Sequence, residues 1–250
     1  MFPLHDDNPT LDVPVVTYAL VALNAAAWFL LQGAGSEPSL SRSVCALGLI
    51  PGELLGLVRE GLRVPIGPDT FCELQPSAAS WISPLSSMFL HGGWFHLLGN
   101  MWFLWVFGNN VEDSMGRVRF VTFYLLCGLA AALAQTLANP ASAIPMVGAS
   151  GAIGGVMGAY AVLYPRAHVE MLIVLGFYVT RVTVPAMVVL GYWVLLQLLG
   201  GLVPRLEGEG GGVAFWAHLG GFVAGVLLCF VLRDPVRVAA HHHATGGRLS

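Results

Sequence analysis

The chain has 250 residues, 56% of them hydrophobic and 10% charged, and its mean hydropathy is +0.73. A soluble domain of this length is far less apolar, so the composition points to a polytopic membrane protein. The net charge is -3 and the eleven basic residues are dispersed arginines, which excludes a nucleic-acid-binding face.

The first residues include Asp6 and Asp7 where a signal or transit peptide carries positive charge, so the first apolar segment is expected to stay and residues 1–12 to form a tail. That segment, residues 13–32, is long enough to span a bilayer, with Pro14 tolerated in its first turn. Residues 33–93 then read as a long first loop, rich in Gly, Pro, Ser and charge. Within it, Leu54, Leu55, Leu57 and Val58 beside Glu53, Arg59 and Glu60 suggest either an amphipathic piece in the interface or ordinary loop packing. Cys45 and Cys72 fall in this loop, whereas Cys127 and Cys229 fall in apolar helices. If the loop faces an oxidising compartment, the first pair could form a disulfide.

Further apolar helices follow at 94–111, 119–138, 150–164, 184–203 and 213–232, which makes six with the first. With no internal repeat and no low-complexity linker, one helical domain over residues 13–233 is expected. The fold class read from this pattern is all-α: a six-transmembrane-helix bundle with a long extracytoplasmic loop after the first helix. Met171 to Phe177 is apolar but too short to span, and with Arg166 and Arg181 beside it is expected to lie along the cytoplasmic interface. Residues 234–250 read as a second tail, with His241 to His243 solvated. Arginine counting places seven (Arg117, Arg119, Arg166, Arg181, Arg233, Arg237, Arg248) on one side against Arg205 on the other, the long loop set aside with its Arg42, Arg59 and Arg63. Both termini are then cytoplasmic.

The helix from Ser150 to Tyr164 has 15 residues. At the α-helical rise it covers about 22 Å of a hydrocarbon core roughly 30 Å thick, so Ser150 lies about 8 Å below the outer face. A polar group there needs a partner or a water-filled cavity. Ser150 could be a small residue packing against a neighbouring helix. The alternative is a nucleophile at a helix N-terminus, where free N–H groups and the helix dipole favour an oxyanion. Gly148-Ala149-Ser150-Gly151-Ala152 lacks the glycine two residues after serine that the α/β-hydrolase elbow requires.

A base is available at equal depth. If the last helix begins near Val213, after Gly210 to Gly212, five residues of rise put His218 roughly 8 Å below the same face. A plain helix-to-helix hydrogen bond is the rival reading for it. Ser150, Gly154 and Gly158 share one helical stripe and His218, Gly221 and Gly225 another, and glycine stripes let helices approach closely. Such contact would bring serine and imidazole together as nucleophile and base. Glu112, Asp113 and Glu170 sit at the cytoplasmic side, so a dyad is expected and no triad. His96 and Asn100, four apart on the second span, can both donate hydrogen bonds to an oxyanion beside the Ser150 amide. His91 and His96 are five apart, no H-E-x-x-H occurs, and no metal or other cofactor is expected.

At these residues the chain resembles the rhomboid family of intramembrane serine proteases. The resemblance rests on H-x-x-x-N at His96 and Asn100, G-x-S-G at Gly148 to Gly151, and A-H-x-x-G-x-x-x-G at Ala217 to Gly225. It implies Ser150 as nucleophile, His218 as general base, and His96, Asn100 and the Ser150 amide as oxyanion hole. His91 matches a position of structural importance in the long loop. Two positions depart from the family pattern. Trp81-Ile82 stands where many relatives read Trp-Arg, and Gly154 stands where some carry an aromatic that packs on the histidine, so His218 must be buttressed otherwise. Gly108 to Asp113 resembles a bacterial and archaeal rhomboid pattern whose acids cap or bridge at the cytoplasmic turn, which implies a bacterial or archaeal plasma membrane.

The expected function is hydrolysis of a peptide bond in or next to a transmembrane segment of another protein, with membrane lipid as surroundings. Oligomeric state is left open. A silent relative that binds membrane-protein clients is the alternative, although such relatives lose the nucleophile or the base and this chain keeps both. A channel or transporter would not explain polar residues matched in depth near one face.

Overall fold

The computed structural model describes residues 2–67, 69–75, 78–202 and 212–247, so Arg205, Arg248, Gly210 and Gly211 lie outside it. Helices occupy each long apolar stretch. In chain order they are α1 (Val15–Leu30), α2 (Ser39–Leu47), α3 (Pro51–Leu54), α4 (Ser83–Ser86), α5 (Trp94–Met115), α6 (Arg117–Ala138), α7 (Ser150–Leu163), α8 (Ala186–Leu202), α9 (Phe215–Leu232) and α10 (Pro235–Ala244). The strands are β1 (Phe2–Asp6), β2 (Arg63–Pro65), β3 (Phe71–Glu73), β4 (His168–Leu175) and β5 (Tyr178–Pro185). By length and composition α6 and α9 are able to cross a membrane, and α1, α7 and α8 are shorter apolar helices.

The short helix α7 occupies the middle, packed against α5, α6 and α9. Each of its residues from Gly151 to Tyr160 is buried, as a helix apolar on all sides requires. The outer helices show the converse pattern. α1 turns Thr17, Leu20, Asn24 and Trp28 inward at helical spacing and leaves Tyr18, Leu23, Phe29 and Leu30 exposed. α9 turns Ala217, Gly221, Gly225 and Cys229 inward and exposes Val223, Leu227 and Phe230. Large apolar side chains left exposed along both helices, while Thr17, Asn24 and the α9 glycines are turned inward, are unfavourable in water and suited to lipid.

The all-α expectation needs correction. β1, β4 and β5 form an antiparallel sheet in the order β1-β4-β5, and β2 pairs with β3 in a second small sheet. Residues 171–177 belong to the hairpin of β4 and β5. Val169, Ile173, Val174, Val179, Thr180, Val182, Thr183 and Val184 make this stretch rich in β-branched side chains. Leu175 pairs with Tyr178 across a two-residue turn whose first residue, Gly176, has φ +60°, the conformation a tight hairpin turn demands there. The hairpin also recruits the amino-terminal stretch: Pro3 pairs with Met171 and Asp6 with Val169, so residues expected as a tail form an edge strand.

The carboxy-terminal stretch is likewise structured. Asp234 caps α10 through Val236 N–H at 2.9 Å, and Pro235 sits in the first turn, where its missing N–H costs nothing. Arg237 reaches Asp12 at 2.8 Å and Arg119 reaches Asp234 at 3.6 Å. His241, expected in solvent, is 2% exposed; it donates to the Pro9 carbonyl at 3.0 Å and packs on Tyr164. Glu112 accepts from the Val16 and Thr17 amides at 2.9 and 2.7 Å, and Asp113 from the Leu11 and Asp12 amides at 2.8 and 3.1 Å. Glu112 thus caps α1 from another helix, satisfying N–H groups that its own residues leave open, while Asp113 holds the stretch that leads into it.

In the long loop, Cys45 and Cys72 are joined, with Cα atoms 5.3 Å apart. Cys72 sits in a small cluster with Ile50 and Leu74, against which Val58 packs. The helical part of the predicted amphipathic piece is only Pro51–Leu54, and Leu55 and Leu57 beyond it are exposed.

An ionisable pair links the sheet to α7. Tyr160 donates its hydroxyl to the Asp6 carboxylate, and burial pushes the Asp6 carboxyl from its ordinary 3.8 up to about 7, against the lowering effect of that hydrogen bond. The unfolded chain therefore gives up this proton first as pH rises. Docking of β1 is most stable below about pH 4, loses up to about 1.4 kcal/mol per pH unit until about pH 7, and loses no more beyond. Thermal unfolding in detergent at about pH 5 and about pH 8 is expected to show this drop in the native protein and a smaller one in Asp6→Asn. Equal drops would remove Asp6 as the source.

Candidate active site

Ser150 is the first residue of α7, and the long loop fixes the chain that leads into it. Leu49 and Met146 exchange both backbone hydrogen bonds at 2.9 and 2.7 Å, and Gly148 N–H donates to the Ser87 carbonyl at 2.9 Å. Gly148 has φ +131°, a left-handed conformation that favours glycine. A Cβ there would also lie 2.7 Å from His96 Nε2 and 3.5 Å from Ser150 Oγ, so glycine lets the imidazole and the serine stand side by side. Ile153 N–H, bonded to Ala149 O at 3.0 Å, marks the start of the helical ladder, and the amides of Ser150, Gly151 and Ala152 precede it.

His218 lies in the first turn of α9, and its Nε2 is 2.7 Å from Ser150 Oγ. Backbone contact between the two helices makes this distance reachable. A Cβ on Gly221 would lie 1.9 Å from Gly151 O, and one on Gly225 would lie 2.0 Å from Gly155 O. The closest approach on α7 therefore runs through Gly151 and Gly155, one position over from the stripe read in the sequence. Gly154 faces the His218 carbonyl and Gly158 that of Phe222.

The other side of the His218 ring is covered by α8. The Trp193 ring packs on it with centroids 5.6 Å apart and planes at 33°. Gln197 Oε1 lies 2.8 Å from His218 Nδ1, while Gln197 Nε2 donates to Trp193 O at 3.1 Å. A Cβ on Gly154 would come 3.3 Å from the Trp193 ring, so the missing aromatic on α7 makes room for an aromatic from α8.

His96 and Asn100 lie one turn apart on α5. Gly92 N–H donates to His96 Nδ1 at 3.3 Å, and since an amide N–H only donates, Nδ1 is the acceptor. In the neutral ring Nε2 then carries the hydrogen, next to Gly148 and Ser150. Asn100 is buried and donates one N–H to the His96 carbonyl at 3.0 Å, which leaves its second N–H for another acceptor. His91 is fully buried with its ring edge-on to that of His96, at 5.2 Å and 71°. Its backbone is clamped by Gln32, which accepts from His91 N–H at 2.8 Å and donates to His91 O at 2.7 Å. Trp81 and Ile82 are both exposed.

Gln32, Trp193 and Gln197 escaped the reading of the sequence. The signal available was the cost of polarity: Gln197 is the one amide in α8, and Gln32 closes the apolar stretch Ala25 to Leu31. Chemically, the arrangement offers a hydroxyl bonded to an imidazole, with the amides of a helix start and the His96 ring beside it. That combination can take a proton from a nucleophile and hold the anion its attack creates.

The Rhomboid domain profile matches residues 78–235, which include Ser150, His218, His96 and Asn100. RHOMBOID-like protein 5 of Arabidopsis thaliana is 33% identical over 148 residues, 59% of this chain and 43% of that protein. Rhomboid protein 1, mitochondrial, of Saccharomyces cerevisiae is 32% identical over 164 residues, 63% of this chain and 43% of its own. Rhomboid protease GluP of Bacillus subtilis is 26% identical over 222 residues, 89% of this chain and 36% of its own. The chain thus spans about a third to a half of the length of these curated relatives. Similar proteins include mitochondrial and chloroplastic ones, so the expected bacterial or archaeal plasma membrane is not supported.

Proposed function

The chain belongs to the rhomboid family of integral membrane proteins, and from that premise we propose that it is a serine endopeptidase cutting membrane-protein substrates in or beside their transmembrane segments. The observation that carries this reading is the 2.7 Å contact between Ser150 Oγ and His218 Nε2 at the start of a buried, glycine-lined helix.

In the proposed reaction Ser150 Oγ attacks the scissile carbonyl and its proton passes to His218 Nε2. The oxyanion is held by His96 Nε2–H, the free N–H of Asn100 and the Ser150 amide, whose helix dipole favours negative charge. His218 then gives its proton to the leaving amine, an acyl enzyme remains on Ser150, and a water molecule activated by His218 releases it. His91 and Gln32 hold the loop from which α5 starts, and Gly148, Gly151, Gly221 and Gly225 provide the close approach.

The same reading takes α1, α5, α6, α7, α8 and α9 as six spans of one membrane domain over residues 13–233, with both termini cytoplasmic and residues 33–93 on the opposite side. The Cys45–Cys72 bond supports an oxidising compartment on that side. Substrates are membrane proteins, and lipid surrounds the exposed apolar perimeter.

A fluorophosphonate probe, which reacts with activated serines, tests the proposal. The native protein in detergent is expected to be labelled and Ser150→Ala is not. Absence of labelling in the native protein, or equal labelling of the variant, would reject it.

A further inference from the structure

We propose that Gln197 of α8 is the positioning residue for His218, filling with a neutral amide the role that a carboxylate plays in a catalytic triad; this rests on the protease reading above. Hydrogen-bond chemistry fixes the direction of every proton in the chain. The Trp193 carbonyl can only accept, so the group of Gln197 that faces it at 3.1 Å is the amide NH2. The Gln197 oxygen is thereby turned to His218 Nδ1 at 2.8 Å, and an oxygen that only accepts requires Nδ1 to carry a hydrogen. Neutral imidazole has one N–H, so Nε2 presents its lone pair to Ser150 Oγ at 2.7 Å, in the tautomer a general base needs. A histidine with a free Nδ1 has no such preference.

The surroundings leave this task to Gln197. The groups facing the His218 ring are Ser150 from α7, Trp193 and Gln197 from α8 and, as a titratable neighbour, His96 from α5. From α6, Ala130, Ala131 and Ala134 lie against this part of α9. Gln197 is 7% exposed, so water does not readily replace it. When His218 takes the Ser150 proton, Nδ1–H keeps its bond to Gln197 Oε1 and the new cation is stabilised without any proton leaving the ring.

Two variants of the same length separate positioning from packing. Gln197→Met keeps the shape and removes the acceptor, and Gln197→Glu keeps an acceptor. Gln197→Met is expected to lower kcat roughly 10- to 100-fold, the range of a hydrogen bond to a group that becomes charged, with KM little changed. Gln197→Glu is expected to recover most of that loss, and its carboxylate, favouring the imidazolium, to move the acid limb of the kcat profile to higher pH. Both are compared with the native protein for thermal unfolding in detergent. Native kcat and pH profile in Gln197→Met overturn the proposal, as does a Gln197→Glu enzyme as slow as Gln197→Met. Failure of the protease reading is separately visible, because the native protein then shows no Ser150-dependent labelling.

Discussion

Ser150→Ala and His218→Ala are each expected to abolish cleavage of a model transmembrane substrate, a loss on the order of a million-fold, and the double variant to be no slower than either. The geometry makes the non-additivity specific. The two side chains share one hydrogen bond of 2.7 Å, and removing either end ends proton transfer from the nucleophile, so nothing is left for the second substitution to remove. Residual turnover then comes from the oxyanion donors and binding alone. Folding should survive in both, because the helices are held by backbone contact at Gly221 and Gly225 and not by this bond. The measurement is a cleavage assay in detergent or liposomes with thermal unfolding alongside. Robust cleavage by Ser150→Ala would remove it as nucleophile, and single losses that multiply in the double variant would show that the residues do not act as a unit.

Gly221→Val should also inactivate the protein, although Gly221 touches no reacting atom. Its Cβ would stand 1.9 Å from the Gly151 carbonyl oxygen, and backbone cannot swing aside as a side-chain tip can. α9 must therefore shift away from α7 at the turn beside Ser150 and His218. A displacement of about 1 Å is worth roughly 100-fold in rate, so the expected loss is at least that, with a lower unfolding temperature from the opened contact. Val223→Phe, on the exposed face of the same helix, should leave both quantities near native values. Full activity in Gly221→Val would mean that the two helices do not meet along these glycines.

The glycine contact illustrates how far a sequence can be read. Ser150 and His218 stood out because a polar residue in an apolar run is costly, and their matched depth followed from helix rise alone. Gly154, Gly158, Gly221 and Gly225, read as facing stripes, all meet the opposite helix, but the closest approach also uses Gly151 and Gly155, one position over, which depends on how α7 is rotated in its coat of α5, α6 and α9. The residues at 168–185 show another limit. Short apolar runs fit a helix or a strand equally well by period; the β-branched run and the Gly176 turn favour the hairpin locally, but that β1 joins it from the start of the chain is a tertiary matter.

The sequence by itself determined the membrane class, the places of the long helices, the family and four residues of the candidate site, because each of these rests on local composition, period or a motif of adjacent residues. Tertiary structure alone decided that Glu112 caps α1, that Asp113 holds the stretch before it, that His241 is buried and bonded to the Pro9 carbonyl, and that Gln197 and Trp193 hold His218. Those are pairings between residues far apart in the chain, 21 positions for Gln197 and His218 and 232 for Pro9 and His241. Hydrogen bonding fixes only that a buried polar group must find a partner; which partner it finds is set by how the helices pack.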